Sequence, residues 1–435
     1  MRIVELEGPI TQELVREKLP RASVGVSAAL ESVLPLIHEV QTESLVALKR
    51  HAQAFDGVIP ESFRVSQAQL SEALKTIDPA LKTAIETAIE RVRRVSEAAL
   101  PEGFEVELGQ GAKVAQRYVP VDSVGLYVPG GKAVYPSSVI MNAVAAQVAR
   151  VPRIAIASPA QKDFDGSPHP SILATAALLG VTEVYAIGGA SAVAAFAYGV
   201  PEIDLKPVRM VTGPGNIYVA AAKRALRGKI GIDSEAGPTE ILILADSLAS
   251  PRSIAADLIS QAEHDENAAV VLVTDSHQLA SAVQIELEKQ VPNLTNRERI
   301  MAALSGQQSA IAVVSNFADA ISVANEYATE HLEIHTADDE AVLSQISNAG
   351  AIFMGEFSPV SLGDYIAGSN HVLPTSEQAK FGPGLGVHSF LRPQQVIRYD
   401  RGGLLEVTDQ LVDFANAEGL SAHGAAASIR FGKES

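Results

Sequence analysis

The amino-acid sequence predicts an α/β protein built from two Rossmann-like parallel α/β units, an N-terminal helical region and a small C-terminal helical tail. Of its 435 residues, 47% are hydrophobic and 20% are charged, which is typical of a globular chain with a sizeable core. From Val124 onward, short apolar runs alternate with helical patterns, as in parallel sheets covered by helices. The core is expected to consist of Ala, Val, Leu and Ile, because the chain has only 12 Phe, 9 Tyr and no Trp.

Residues 1–100 form the predicted N-terminal helical region. Apolar residues recur there at helical spacing, with charges between them, over 24–55 and 79–100. A Pro-Glu-Gly break at 101–103 interrupts this pattern, and residues 115–121 form a short patch of alternating polarity. The first predicted boundary therefore falls at this break.

Two α/β units follow, at residues 101–234 and 235–380. The first contains predicted strands at Val124–Val128, Arg153–Ala157, Glu183–Ile187 and Val208–Val211, with helices at 137–149, 170–179, 191–198 and 217–226. The second contains predicted strands at Ile241–Leu244, Ala269–Val273, Ala310–Val314 and Ala351–Phe353. The similar length and rhythm of the two units indicate an internal duplication.

The C-terminal part of the chain is predicted to contain a long irregular stretch and then a tail at 381–435. Residues 354–391 are rich in Gly, Ser and Pro, and a structureless stretch of this length is usually functional or a linker. The tail contains a predicted helix at 408–417 and is too small to bury a core of its own. We therefore expect it to dock on this chain or on another subunit.

Charge and cysteine content exclude several classes of function. The chain has 34 basic and 51 acidic residues, so its formal net charge is −17, and it would repel a phosphate backbone. It contains no cysteine, which excludes disulfides, thiolate zinc sites and cysteine nucleophiles. Residues 1–20 do not resemble a secretory signal, and no apolar stretch is long enough to span a bilayer. We therefore expect a cytoplasmic protein without nucleic-acid or membrane partners.

Three glycine-containing turns follow predicted strands: Pro129-Gly130-Gly131, Gly188-Gly189 and Gly213-Pro214-Gly215-Asn216. Glycine lets the backbone approach a ligand, and the following helix N-terminus favours anions. None of the three matches Gly-x-Gly-x-x-Gly. Both ordinary βα turns and an atypical nucleotide site are compatible with them.

Two short polar motifs are candidates for chemistry. Gln261 and His264 lie three residues apart near the end of a predicted helix and share a face, which suits either a zinc site or a structural helix end. Glu330 and His331 are adjacent and precede a predicted strand. An acid beside an imidazole can transfer protons, although this pair also occurs by chance.

Further candidates lie in the irregular stretch and in the tail. Asp364, His371 and His388 are in the glycine-rich stretch, which is either a metal or catalytic loop or a solvated loop, and Glu418 and His423 are in the tail. A sulfur-free divalent site could be formed by Gln261, His264, Asp364 and His423. The other histidines are assigned to the surface or the core: His38, His51, His169, His277 and His335.

Nearly the whole chain resembles the histidinol dehydrogenase family. The resemblance is most specific at Ile232–Glu240, a segment that leads into a strand and then into the helix ending at Gln261 and His264. Further motifs in the same order are Gly125–Gly131, Gly213–Asn216, Glu330–Glu333, Gly368–Thr375 and Glu418–His423.

The resemblance implies roles for the matching residues. It makes Gln261, His264, Asp364 and His423 the zinc ligands and Glu330 and His331 the catalytic acid–base pair. Thr239, His371 and Glu418 would contact the substrate, and so would the zinc ligands and His331. Tyr127, Ser191 and Asn216 would contact NAD. The family is a homodimer in which the tail of one subunit completes the site of the other, which agrees with the expectation that the tail docks elsewhere.

Two positions depart from the family pattern. Thr239 stands where the family often has Ser, and it keeps the hydroxyl. Ser191 stands where the family usually has Gln in contact with NAD, so the shorter side chain loses a contact. The second departure affects nucleotide affinity but leaves the backbone turn in place.

The resemblance also implies a reaction. L-Histidinol would be oxidised through L-histidinaldehyde to L-histidine while two NAD molecules are reduced, in the last steps of histidine biosynthesis. Zinc would hold the imidazole and amine of the substrate, His331 would take the alcohol proton, and Glu330 would activate the water that hydrates the aldehyde. A cysteine thiohemiacetal is impossible in a chain without cysteine.

Three other functions compete with this interpretation. A paralogous zinc- and NAD-dependent dehydrogenase could act on a small sulfonated diol, although a sulfonate needs Arg or Lys where the tail offers Glu418 and His423. A zinc hydrolase could use Glu330 with a metal-bound water. A pure binding protein is hard to reconcile with an acid–base pair and four metal-type ligands.

Overall fold

The structure of the protein is a computed structural model that describes residues 1–22, 26–131, 133–235 and 237–432. The start of the predicted helical stretch, at 24–25, and the last three residues of the predicted tail lie outside the described residues. By their contacts the described residues form two units. The first consists of the described residues within 1–99 and 122–389, and the second of residues 100–121 and 390–432.

The strands and helices have the following bounds. The strands are β1 (Arg2–Leu6), β2 (Phe104–Gly109), β3 (Ala112–Pro120), β4 (Val124–Tyr127), β5 (Ile154–Ser158), β6 (Glu183–Ala186), β7 (Met210–Thr212), β8 (Gly231–Ile232), β9 (Glu240–Ala245), β10 (Ala269–Thr274), β11 (Ala310–Val314), β12 (His331–His335), β13 (Ala351–Met354) and β14 (Leu391–Tyr399). The helices are α1 (Gln12–Lys18), α2 (Val26–Glu43), α3 (Leu45–His51), α4 (Gln67–Thr76), α5 (Pro79–Ala98), α6 (Pro136–Val148), α7 (Pro170–Leu178), α8 (Gly189–Tyr198), α9 (Ile217–Leu226), α10 (Pro251–Ala262), α11 (His277–Gln290), α12 (Arg297–Ser305), α13 (Phe317–Tyr327), α14 (Asp339–Leu343), α15 (Val360–Tyr365), α16 (Arg401–Ala417) and α17 (Ser421–Ser428). None of these helices is both long and apolar enough to cross a bilayer.

The first sheet of the larger unit is parallel throughout, with strand order β6-β5-β4-β7-β8. Numbered along the chain, its strands lie in the order 3-2-1-4-5, which is the arrangement of half a Rossmann fold. The order reverses between β4 and β7. Ligands of such sheets bind outside the carboxyl ends of the strands at this reversal.

The second sheet of this unit is also parallel, with strand order β1-β11-β10-β9-β12-β13. Without β1, the order along the chain is again 3-2-1-4-5. The shared order confirms the predicted fold class of two Rossmann-like units. Strand β1 was not predicted, since residues 1–100 were expected to be helical; it pairs with β11, about 300 residues away, and local sequence does not show such a partner.

Small aliphatic residues form the cores on the faces of both sheets. All residues of β4, β9, β10 and β11 are buried, as expected for central strands covered by helices on both faces. Helix α8 has the sequence GASAVAAFAY and is buried along almost its whole length, because alanines let it pack closely against its neighbours. The predicted Ala-, Val-, Leu- and Ile-based core is present.

The second unit contains an antiparallel sheet of order β14-β3-β2, followed by α16 and α17. Residues 101–121 are predicted from the sequence to belong to the first α/β unit, whereas in the structure their strands pair with each other and with β14. The pairing joins Pro120 to Leu391, and a partner at this sequence distance cannot be inferred from local periodicity. The stretch 354–391, predicted as irregular, contains the short helix α15. As domain boundaries, the four predicted segments remain a proposal.

Candidate active site

A cavity of about 920 Å³ in the first unit contains most of the predicted site residues. It lies at the carboxyl ends of β4 and β7 in the first sheet and at the amino ends of β9 and β12 in the second. The predicted residues in its wall are Tyr127, Ser191, Asn216, Thr239, His264, Glu330, His331, Asp364 and His371. Gln261 is fully buried and hydrogen-bonded to Thr239 in that wall.

The two remaining predicted residues, Glu418 and His423, belong to the second unit. Glu418 is the C-cap of α16, and His423 lies in the first turn of α17. Both are exposed to solvent.

Glu330 immediately precedes β12, next to the first residue of β9. Its Oε2 atom accepts hydrogen bonds from the Thr239 hydroxyl at 2.6 Å and from the Glu240 backbone N–H at 2.9 Å. Burial raises the pKa of the Glu330 carboxyl to about 8, although both donors act to lower it. A carboxyl that titrates near neutral pH can both accept and release a proton during a reaction.

The imidazole of His331, the next residue, is oriented by the backbone of β9. Its Nδ1 atom lies 3.0 Å from the carbonyl oxygen of Glu240, which can only accept, so Nδ1 carries the hydrogen. This tautomer leaves Nε2 as the proton acceptor. Burial lowers the pKa of His331 and keeps the ring neutral, as a general base requires.

Helix α10 supplies Gln261, the first residue of a possible metal site. The helix begins at Pro251, where the Ser250 hydroxyl caps it by accepting from the Ser253 backbone N–H at 3.3 Å. Near its end, the Gln261 amide nitrogen donates to the Thr239 hydroxyl. The Oε1 atom of Gln261 is buried without a hydrogen-bond partner, which suits an oxygen that coordinates a cation.

His264 and Asp364 bring a nitrogen and a carboxylate to the same place. The Nε2 atom of His264 lies 3.6 Å from Oδ2 of Asp364, which is carried by α15. Burial opposes the charge of His264, but the Asp364 carboxylate outweighs it and raises the pKa of the imidazole. One imidazole nitrogen and two oxygens form a sulfur-free donor set that fits a zinc ion.

His371 is held by two hydrogen bonds at the edge of this group. Its Nδ1 atom lies 2.9 Å from the carbonyl oxygen of Asp364, and its Nε2 atom lies 3.1 Å from the Ser138 hydroxyl. Burial lowers its pKa, so the ring is neutral. Both ring nitrogens are therefore engaged, and a substrate atom that contacts Nε2 would take the place of the Ser138 hydroxyl.

The first sheet contributes two helix N-termini to the cavity. The Tyr127 hydroxyl, at the end of β4, accepts from the Gly189 backbone N–H at 3.1 Å at the start of α8. Asn216 caps α9 by accepting from the backbone N–H groups of Tyr218 and Val219 at 3.0 and 3.2 Å. Two helix N-termini thus line the cavity beside glycine turns, that of α9 at the reversal of strand order and that of α8 in contact with Tyr127. This arrangement fits a dinucleotide pyrophosphate.

Lys223 and Asp233 fix the turn before Asn216, and the sequence analysis did not identify them. The Gly213 backbone N–H donates to Asp233 Oδ2 at 2.8 Å, while Lys223 Nζ donates to the Gly213 carbonyl at 2.5 Å and to Asp233 Oδ1 at 2.6 Å. Gly213 has a φ of +118°, and a Cβ atom there would lie 2.1 Å from the Tyr127 carbonyl oxygen. Only glycine fits this turn.

Ser191 has an unexpected partner in His51, which the sequence analysis assigned to the surface or the core. The Ser191 hydroxyl lies 2.9 Å from His51 Nδ1, and His51 Nε2 lies 2.8 Å from a Glu39 carboxylate oxygen. His51 and the nearby Asp56 line the cavity from the end of α3 and the π-helical turn Ala52–Asp56. His51 and Ser191 are 140 residues apart, so no local sequence signal indicates this pair.

Comparisons with known proteins agree on one family. The family model described as histidinol dehydrogenase matches residues 19–431. A relative from Leifsonia xyli subsp. xyli, named histidinol dehydrogenase, is 54% identical over 432 residues, which cover 99% of each chain. One from Thermobifida fusca with the same name is 55% identical, covering 96% of this chain and 95% of the relative. The crystal structure of histidinol dehydrogenase from Elizabethkingia anophelis superimposes with a TM-score of 0.93 at 30% identity, over 99% of this chain and 98% of that one.

Proposed function

Since the chain belongs to the histidinol dehydrogenase family, we propose that it oxidises L-histidinol through L-histidinaldehyde to L-histidine, with NAD as the hydride acceptor in both steps. The protein is an oxidoreductase of histidine biosynthesis. The observation that carries the proposal is the convergence of an acid–base pair, a sulfur-free donor set and two helix N-termini on one cavity. The sulfonated-diol alternative is not favoured by any of the relatives described above.

The cavity residues fit zinc and NAD on separate sides. Gln261, His264 and Asp364 would hold zinc, which supplies a positive charge that binds the imidazole and amine of the substrate. Tyr127, Asn216 and the turn before Ser191 would hold NAD, which supplies the hydride acceptor. Thr239 and His371 would contact the substrate between the two groups.

In the first step, His331 acts as the base. Its Nε2 atom takes the proton of the alcohol while the hydride leaves the same carbon, so the alcohol becomes an aldehyde. The bond from Nδ1 to the Glu240 carbonyl keeps the ring in the tautomer that this transfer needs.

In the second step, Glu330 acts on water. The carboxylate takes one proton from the water as its oxygen bonds to the aldehyde carbon. The proton that His331 took in the first step passes to the carbonyl oxygen, which gives the neutral hydrate and leaves His331 free to act as a base again. His331 then takes a hydroxyl proton from the hydrate as the second hydride leaves, and the carboxylic acid forms. A covalent thiol route is absent because the chain has no cysteine.

The proposal includes a homodimer with shared sites. The larger unit supplies the donors Gln261, His264 and Asp364, while His423 and Glu418 belong to the other unit and are exposed. We infer that the tail of the partner subunit delivers these last two residues, with His423 to zinc and Glu418 to the substrate. The exposure of both residues in a single chain supports this inference.

An assay of the full chain tests the function. Addition of L-histidinol and NAD to the zinc-loaded protein should produce NADH, and a hydrolase would produce none. Chelation should abolish turnover without unfolding the protein, and zinc should restore it, because the donors come from separate elements of a folded core. A chelated protein that melts in one step far below the zinc-loaded form and cannot be rescued would show that the metal is structural.

A further inference from the structure

A buried row of polar side chains continues from the candidate active site along β12. Alternate residues of a strand point to the same side, so His331, Glu333 and His335 share one face, and all three are buried. On α10, the buried Asp257 and Gln261 lie one turn apart on one face. The proposed reaction uses His331 and Gln261 and leaves the others without a role.

Glu333 contacts several other residues of this buried group. Its Oε1 atom accepts from the Val360 backbone N–H at 2.7 Å, and its Oε2 atom lies 3.2 Å from His335 Nε2. The carboxyl is also hydrogen-bonded to Asp257. One oxygen each of Asp257 and Glu333 and one nitrogen of His335 all lie within 4.8 Å of one another.

Protonation of Asp257 makes the contact between the two carboxyl groups favourable. Burial, followed by the charge of Glu333, raises the pKa of Asp257 to about 7, so a proton is available for the hydrogen bond at neutral pH. The Glu333 side chain is fully buried, and a buried carboxylate is tolerated only when its oxygens have partners, as they have here.

Each element joined by Glu333 carries a residue of the proposed site. Strand β12 carries His331 two residues before Glu333. Helix α10 carries Gln261 one turn after Asp257, and α15 carries Asp364 four residues after Val360. A helix of only six residues, such as α15, has little stability of its own. The hydrogen bond from its first N–H to Glu333 therefore helps to fix the position of Asp364.

We propose that Glu333 is a positioning residue, which ties β12, α10 and α15 together so that His331, Gln261 and Asp364 converge on one substrate and one metal ion. The inference rests on the proposed function. Glu333 acts through directional hydrogen bonds, which fix angles and distances that apolar packing leaves free. Residues that orient metal ligands in this way typically change metal affinity about 10–100-fold when they are replaced.

Zinc titration of the metal-free full chain tests this role directly, without histidinol or NAD. Glu333→Ala should weaken zinc binding about 10–100-fold. Glu333→Gln keeps an oxygen for the Val360 N–H and should retain more affinity than the alanine variant. The same variants should lose kcat with L-histidinol, with little change in the KM for NAD, because the NAD-side residues Tyr127 and Asn216 lie on β4 and at the start of α9, which belong to the other α/β unit.

A second pair of variants decides the matter if Glu333→Ala does not fold. Val360→Pro removes the N–H that donates to Glu333 and replaces the buried isopropyl group by an apolar ring of similar size. The first helical position accepts proline, and the preceding Pro359 is extended, with φ −63° and ψ 151°. Val360→Ala removes buried side-chain atoms but keeps the N–H. We expect Val360→Pro to weaken zinc binding about tenfold and Val360→Ala to lower the melting temperature with zinc affinity unchanged.

Three results would overturn the inference. The first is a folded Val360→Pro or Glu333→Ala protein whose zinc affinity equals that of the parent, which would make Glu333 merely structural. The second is two zinc ions per parent chain with one lost in Glu333→Ala, which would make the three-residue cluster itself a metal site. The third is a parent that binds no zinc. A parent that binds zinc but does not oxidise histidinol contradicts the proposed function alone.

Discussion

The hydroxyl of Thr239 donates to Oε2 of Glu330 at 2.6 Å and accepts from the amide of Gln261. One side chain thus joins the proposed water-activating carboxyl to the proposed metal donor. The oxygen of a hydroxyl group can serve both bonds at once, because it has one hydrogen to donate and lone pairs to accept. The hydroxyl of a serine could make both bonds as well.

This link predicts how Thr239 variants behave. Thr239→Ser should keep the rate of aldehyde oxidation within about threefold, because both hydrogen bonds remain. Thr239→Val should lose about tenfold or more, because a hydrogen bond to a charged group is worth about 1.5–3 kcal/mol. Initial rates with L-histidinaldehyde measure the effect. Equal rates for the serine and valine variants would contradict a role for the hydroxyl.

Lys223 and Asp233 form a clamp on Gly213 through their hydrogen bonds to its backbone, and this clamp predicts an effect on NAD binding. The pair is almost completely buried, and removal of one partner of a buried ion pair typically costs about 3–5 kcal/mol. Asp233→Asn should therefore lower the melting temperature and raise the KM for NAD, while the KM for L-histidinol changes less. As the control, Lys113→Met breaks an exposed pair with Glu105, and solvent-exposed ion pairs contribute little to stability. If Asp233→Asn has the same KM for NAD as the parent, the Lys223–Asp233 pair does not contribute to NAD binding.

Asp56 predicts a pH-dependent stability. Burial raises its pKa from 3.8 to about 6, so between these values the folded protein binds more protons than the unfolded chain. The contribution of the Asp56 carboxyl to the free energy of unfolding is thus fully present below pH 4 and is lost as the pH rises through 6. Asp56→Asn should raise the free energy of unfolding at pH 8 by up to about 3 kcal/mol, at about 1.4 kcal/mol per pKa unit, with no gain below pH 4. Denaturant unfolding at both pH values checks this, and an equal gain at both would contradict it.

The sequence was sufficient for the parts of the fold that are encoded locally. Strands such as β4 and β9 are short apolar runs followed by helices, and this alternation predicts a parallel sheet without knowledge of the partners. Strands β1 and β14 pair with segments about 270 to 310 residues away, and no local pattern records such a partner. The fold class was therefore predictable, whereas the edge of one sheet and the antiparallel sheet were not.

In the candidate site, too, residues close in sequence were predictable, whereas contacts between distant residues were not. Glu330 and His331 are adjacent, and Gln261 and His264 are three residues apart, so one strand and one helix end suffice to place each pair. The contacts proposed to hold the site in place join residues that are distant in sequence. Glu333 meets Asp257 and Val360 only in the folded chain, and Ser191 meets His51 only there as well. The roles of all these residues remain predictions.

The shared-site proposal predicts recovery of activity on mixing two inactive variants. His264→Ala and His423→Ala should each be inactive as homodimers. If the tail reaches the partner subunit, a heterodimer of the two variants has one site with both lesions and one with none. Random subunit exchange makes roughly half of the dimers heterodimers, so about a quarter of all sites should be intact.

Subunit exchange must be verified independently, for example with two differently sized tags. If the tail instead folds back on its own chain, every site carries one lesion. No recovery despite verified exchange would then falsify the shared site and leave the enzyme assignment unaffected.

The central claim is that one site carries out two oxidations, and the yield of NADH per L-histidinol tests it most directly. With limiting L-histidinol and excess NAD, the parent protein should produce two NADH and one L-histidine for each L-histidinol consumed. Glu330→Gln should accumulate aldehyde and approach one NADH, whereas His331→Asn should be slow from the first oxidation, by about 10²–10⁴-fold. A parent yield of one NADH, or of none, would contradict the account.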